Sequence, residues 1–158
     1  FLVAPSGSAD AAISWNTAMT IDNAGRVTKP LQPSFRVGSV TYVTTGTIIL
    51  HTIDFHDIGN NYNPANGRFT APVAGVYYFG AQAISGSATT SAEQNLAFQK
   101  NGANVCDARA RSYTESSLHL KTVIELAAGD YMHVRVGSGS VYAQSNGFHN
   151  QFMGYLIG

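Results

Sequence analysis

The chain has 158 residues, balances nine Lys and Arg against nine Asp and Glu, and gives only 11% of its positions to charge. A chain of this length buries roughly 70% of its unfolded surface, enough for one cored domain and a short appendage. Without net charge it projects no field towards nucleic acid or an anionic membrane, and no apolar run reaches the roughly 18 residues of a membrane span, so neither nucleic-acid binding nor membrane insertion is expected.

Low charge combined with many Ser, Thr, Asn, Gln and Gly suits a β-rich surface protein that hides apolar faces in an oligomer. The single cysteine, Cys106, rules out an internal disulfide framework. As a nucleophile it would need a positioned base, and no motif links it to His119, the nearest histidine in sequence; a small buried hydrophobe is the plainer reading. The opening Phe1-Leu2-Val3-Ala4-Pro5 has neither an initiating Met nor a signal-peptide pattern, so a C-terminal piece of a longer chain is expected.

Residues 1–32 form the first expected unit. Ile13-Ser14-Trp15, Ala18-Met19-Thr20-Ile21 and Arg26-Val27-Thr28 are short extended runs split by turns such as Asp22-Asn23-Ala24-Gly25. So few apolar positions cannot close a core alone. Lys29-Pro30-Leu31-Gln32-Pro33 marks a boundary, because each proline removes a backbone donor and holds its predecessor extended.

Residues 33–158 carry strand signals every eight to twelve residues, the spacing of an all-β sandwich. The ten expected strands span 34–37, 47–53, 68–71, 76–84, 93–99, 104–110, 118–126, 131–136, 141–143 and 151–157. Links such as Lys100-Asn101-Gly102, Ala128-Gly129-Asp130 and Gly137-Ser138-Gly139-Ser140 separate them, and no helical stripe competes.

Within this region Tyr62-Asn63-Pro64-Ala65-Asn66-Gly67-Arg68-Phe69 leads through Pro72-Val73-Ala74-Gly75 into Gly75-Val76-Tyr77-Tyr78-Phe79. Further on stand Phe98-Gln99-Lys100-Asn101-Gly102, Ile124 through Tyr131, and Phe152-Met153-Gly154-Tyr155-Leu156-Ile157. These four motifs, in this order, resemble the signature of the C1q/TNF-like domain. The resemblance implies a ten-stranded jelly-roll sandwich, homotrimeric, with binding rather than catalytic duty. Met19-Thr20-Ile21-Asp22-Asn23-Ala24-Gly25-Arg26-Val27 is similar to repeats found before the tip of phage tail fibres, where three chains wind into a β-rich stem. Together the two resemblances imply the head of a phage or virion fibre that attaches to a host-cell receptor or glycan. Such a protein is a virion component and extracellular. A secreted bacterial or animal C1q-like lectin and a purely structural trimerisation cap are the alternatives.

The resemblance places Tyr77 and Phe79 in the core, so alternation turns Val76 and Tyr78 to the opposite face. In the last strand Phe152, Gly154 and Leu156 turn inward together and leave Met153, Tyr155 and Ile157 outside. At roughly 25 cal/mol per Å², such a row calls for a partner, and Val76, Tyr78, Met153, Tyr155 and Ile157 are the expected trimer interface.

No chemistry stands out elsewhere. His51, His56, His119, His133 and His149 show no paired ligand spacing. His51-x-x-Asp54-x-His56-Asp57 could hold a cation, although alternating polar residues on an exposed strand explain it equally well. A row of His119 or His133 around a three-fold axis is a further option. Asp107, Glu115 and Asp130 are too scattered for calcium, and no carboxylate pair marks a glycosidase. The expectation is therefore no enzyme, no cofactor and no metal. Recognition falls to loops rich in aromatic and amide groups: Tyr142, Gln144, Asn146, Phe148 and His149 in one, Tyr113 in another.

Overall fold

The computed structural model describes residues 1–86, 92–112, 116–142 and 146–158. The contacts divide the chain into two compact units, Phe1–Gln32 and Pro33–Gly158.

The first unit consists of two small ladders. Strands β1 (Leu2–Val3) and β2 (Asn16–Thr17) pair antiparallel, as do β3 (Thr20–Ile21) and β4 (Val27–Thr28). The Asp22 carboxylate closes the second hairpin by accepting the amides of Ala24 and Arg26 and the Arg26 Nε–H, while Gly25 supplies the positive φ that the turn needs. No residue of this unit is buried, and Trp15, Ile13 and Ile21 remain more than half exposed. Its hydrogen bonds set local shape without any core beneath them.

The second unit is a jelly-roll sandwich of two five-stranded antiparallel sheets. Its elements are β5 (Ser34–Ser39), β6 (Val43–Thr44), β7 (Ile53–Ile58), β8 (Tyr62–Asn63), β9 (Arg68–Thr70), β10 (Gly75–Ile84), β11 (Ala92–Lys100), β12 (Ala103–Ser112), β13 (Ser117–Leu126), β14 (Tyr131–Ser138), β15 (Ser140–Val141) and β16 (Asn150–Leu156). The first sheet runs β13-β10-β16-β5-β7 and the second β12-β11-β14-β9-β8, while β6 and β15 form a separate short ladder.

Two expected strands are misplaced. The run 47–53 is mostly irregular, with one isolated bridge from Ile48 to Arg135, and the strand begins only at Ile53. Its apolar content serves another purpose: Ile49 is fully buried and donates its amide to Val134 O, so the segment plugs the core beside β14. Of the strand expected at 141–143, residue 143 lies outside the described residues and the rest is the two-residue β15, Ser140–Val141; the short pairings β6 and β8 carry no extended apolar run by which to recognise them.

The core is aromatic. Phe35, Phe69, Tyr77, Phe79, Phe98 and Phe152 are all at most 1% exposed, and Phe35 packs on Phe69 and Phe152 with ring centroids 4.7 and 4.8 Å apart. Gly154 makes this cluster possible. A Cβ there would come within 2.5 Å of Phe79 and 2.9 Å of Phe35. Phe152 and Gly154 thus face inward as expected, with the partly buried Leu156 packed against the same core.

Candidate functional site

The outer face of the first sheet is graded from apolar to polar along its strands. The β10–β16 register sets Tyr78 opposite Tyr155 and Gly80 opposite Met153, while β13 sets Val123 beside Tyr78 and Lys121 beside Gly80. At the apolar end the rings of Tyr78 and Tyr155 lie 5.2 Å apart. Exposure there is high for large apolar groups: Val76 38%, Tyr155 48%, Ile157 49% and Val123 60%. Val123, missed in the sequence, belongs to the same patch, and its alternation within β13 was the signal that could have found it. In the middle, the missing side chain of Gly80 leaves a hollow of about 70 Å³ bordered by Tyr78, Gln82, His119, Lys121 and Met153.

The polar end is roofed by the 146–149 segment. Gln82 and Gln151, both directed outward, donate their side-chain amides to the Phe148 carbonyl at 2.8 and 2.7 Å, and Asn146 Oδ1 accepts the Phe148 amide. Gly147 presses its carbonyl against Gly38, and its positive φ of 69° explains why glycine stands there. The Phe148 ring is 53% exposed yet rests on Phe55 with centroids 5.6 Å apart and 20° between planes. Beneath it the Arg36 guanidinium lies 4.6 Å from the Phe55 centroid and donates its Nε–H to Gln151 Oε1. The result is a stack of cation, half-buried ring and exposed ring, fixed by hydrogen bonds on both sides of Phe148.

Around this end the connecting segments converge. Tyr142 donates its amide to Ile84 O, Gly86 to Ser140 O and Ser85 to Ser116 O, and the Asn150 side chain bridges Tyr142 O to the Ile84 amide. The links carrying the two expected recognition loops therefore start from one end of the sandwich. The opposite end holds Pro33, bonded through its carbonyl to Leu156, and Gly158, bonded to Val76. Tyr142 is half-buried, whereas Asn146, Phe148 and His149 are exposed; Tyr113 and Gln144 lie outside the described residues.

The histidines do not converge. His51 is buried against Tyr62 and Phe152, while His56 points outward from β7. Asp57 accepts the amides of Asn61 and Tyr62, a local turn duty. Among the described residues no group of three His, Cys, Asp or Glu side chains could hold a metal. His133 lies buried on the outer side of the second sheet, stacked on Tyr131, while His119 is exposed on the first. The Cys106 thiol is half-buried, and burial with the Asp107 charge pushes its pKa up, the reverse of nucleophile activation.

Comparison with known proteins fits this architecture. The chain is 27% identical over 135 residues to complement C1q tumor necrosis factor-related protein 3 of Mus musculus, covering 80% of this chain and 52% of that protein. The Homo sapiens protein of the same name matches to the same extent, so the chain spans about half the length of these curated relatives. Among solved structures, the globular domain of zebrafish complement 1qA superposes with a TM-score of 0.60 at 20% identity, covering 80% of this chain and 98% of that one. Murine APRIL at pH 5.0 superposes with a TM-score of 0.67 at 10% identity, covering 80% and 99%. Both likenesses establish the fold. The family model of the C1q domain matches residues 35–157, and the chain belongs to that family.

Proposed function

We propose that the chain is the recognition head of an extracellular C1q-like protein, a homotrimer that binds a surface glycan or receptor through its loop end and catalyses nothing. C1q/TNF domains typically form homotrimers. The observation that carries the assembly is the apolar end of the first sheet's outer face, where Val76, Tyr78, Met153, Tyr155, Ile157 and Val123 form one continuous patch on a chain with little charge. Two further copies would cover that patch.

Assembly raises the value of a weak site. Three copies of one loop end gain avidity of about a hundredfold or more where geometry allows simultaneous contact. The Phe148 ring offers a rigid apolar face for sugar C–H groups, with Asn146, His149 and Tyr142 near it to meet hydroxyls. Glycan-array and cell-binding measurements on the purified trimer test the proposal. Wild type is expected to bind a defined set of glycans, and Phe148→Ala to lose about tenfold or more in apparent affinity, the scale of one stacking contact multiplied by avidity. Absence of binding to every glycan and cell surface would leave only a structural cap.

The head of a virion tail or capsid fibre is the second reading, favoured by one observation. The first unit folds its Met19–Val27 motif into a hairpin whose Ile21 and Val27 are 55% and 54% exposed, surfaces that two sister chains would cover in a wound stem. Antibody raised against this head would then label the fibres of intact particles in electron micrographs.

A further inference from the structure

Among the described residues His51 is the one side chain with two buried polar atoms short of a hydrogen bond. It is 1% exposed, and neither ring nitrogen makes a hydrogen bond of full geometry; the Ile49 backbone is the one polar group that interacts with the ring, and it falls short of that geometry. Buried polar atoms normally find partners, so this imidazole invites a functional reading. It lines a cavity of about 70 Å³ shared with Val37, Thr52, Asp54, Asp57 and Tyr62. The groups around it are few: Asp54 and Asp57 on β7 and Tyr62 on β8 can carry charge, while Val37 of β5 and Phe152 of β16 are apolar.

The strand over this cavity is weakly held. β7 is an edge strand whose only ladder partner is β5, and that ladder is interrupted because Arg36 pairs with His56 and Val37 with Asp54, leaving Phe55 as the extra residue of a bulge. Phe55 is the ring on which Phe148 rests, and Ile53 of the same strand touches Gly147. Whatever loosens β7 removes the floor of the Phe148 stack.

We propose that His51 is an acid latch: its protonation releases the β7 edge and, with it, the Phe55 support that holds Phe148 in place. A proton on this ring leaves a cation in the core met only by the Ile49 backbone, and parting β7 from the cavity lets water hydrate it and frees Asp54 and Asp57 to approach it. Burial lowers the imidazole from its ordinary 6.5 to about 3 in the closed protein. Between those values the closed state stays neutral while an opened state takes up a proton, so opening grows about tenfold for each pH unit below 6.5. The latch is shut above that value and weakens as pH falls. That this discharges a ligand in an acidified compartment rests on the recognition role of Phe148; the opening itself does not.

Hydrogen exchange on the unliganded protein tests the latch independently of any ligand. Corrected for intrinsic rates, β7 amide protection is expected to fall about 100-fold from pH 7.5 to 4.5, while β10 amides at Phe79 and Ala81 hold. In His51→Leu the β7 loss should disappear, and in His133→Gln it should persist. Flat β7 protection in wild type, an equal loss in β7 and β10, or an unchanged loss in His51→Leu each overturns the proposal. If His51→Leu does not fold, the wild-type comparison of β7 with β10 decides alone. A failed glycan assay with the exchange result intact would sink the recognition reading and spare the latch.

Discussion

The two outer faces of the sandwich are built from the same kind of strand and end in opposite states. On the second sheet, outward groups find partners within the protomer: the Arg68 guanidinium covers Tyr131 at 4.1 Å, Gln99 links His133 to Asn104, and Asp107 joins Asn95 to Arg109. Arg68 Nε and His133 Nδ1 are the buried exceptions there. On the first sheet, Val76, Val123, Tyr155 and Ile157 have only water beyond them. A polar face can complete itself with short side-chain bonds, but an apolar face is completed only by more apolar surface. The first face is therefore the one on which the proposed assembly rests, whereas the second is suited to stay in solvent.

Strand β16 allows that difference to be broken one residue at a time, because its neighbours alternate between the core and the open face. The largest effect is expected inward. Phe152→Ala would empty a site in contact with Phe35, Phe79 and Phe98 and cost about 3–5 kcal/mol, measured by urea unfolding. A loss below about 1 kcal/mol would show that the aromatic cluster is not the core of the fold. One position along the open face, Tyr155→Glu should leave protomer stability within about 1 kcal/mol and abolish assembly. Light scattering at micromolar concentration would then report single chains in place of three. A trimer that survives Tyr155→Glu would move the interface away from this face.

Much of this was legible in the sequence, and the exceptions share a cause. The family resemblance set Tyr77 and Phe79 in the core, and alternation then assigned the outward face in Val76–Phe79 and Phe152–Ile157, since a period of two fixes every second side chain once one is placed. The strand expected at 47–53 failed because β-branched residues signal burial as readily as pairing, and Ile49 is buried from irregular backbone. The Phe148 platform was half visible. Its exposed ring could be named from the loop, but Arg36, Phe55, Gln82 and Gln151 come from four other stretches of chain and are joined only by the sheet. His51 was singled out with Asp54, His56 and Asp57 as a cation motif, yet it lies inside the sandwich and His56 outside, a separation set by tertiary packing that spacing does not encode.

The smallest effects sharpen the contrast from the completed side. Arg109 reaches Asp107 at 2.7 Å and Glu93 at 3.8 Å, but all three side chains are well exposed, at 66%, 40% and 57%. Water screens such pairs, and fixing a long side chain offsets most of the attraction, so Arg109→Ala should leave the urea midpoint unchanged. Asp107 has a second duty. Its carboxylate also accepts Asn95 Nδ2 at 2.8 Å, and Asn95 is only 8% exposed, so Asp107→Ala strands a donor that Ala108 O, at 3.4 Å, satisfies poorly. The Asp107 variant should therefore lower the midpoint measurably where the Arg109 variant does not. Arg109 and, after it, Asn95 hold the Asp107 pKa below the usual carboxylate value; water screens the exposed Arg109 share, so the difference between the two variants follows the Asn95 bond, present above the usual value and lost as pH falls through the lowered one. Equal midpoints for the two variants would mean that the second face owes its order to the ladder alone, and not to the side-chain bonds that distinguish it from the first.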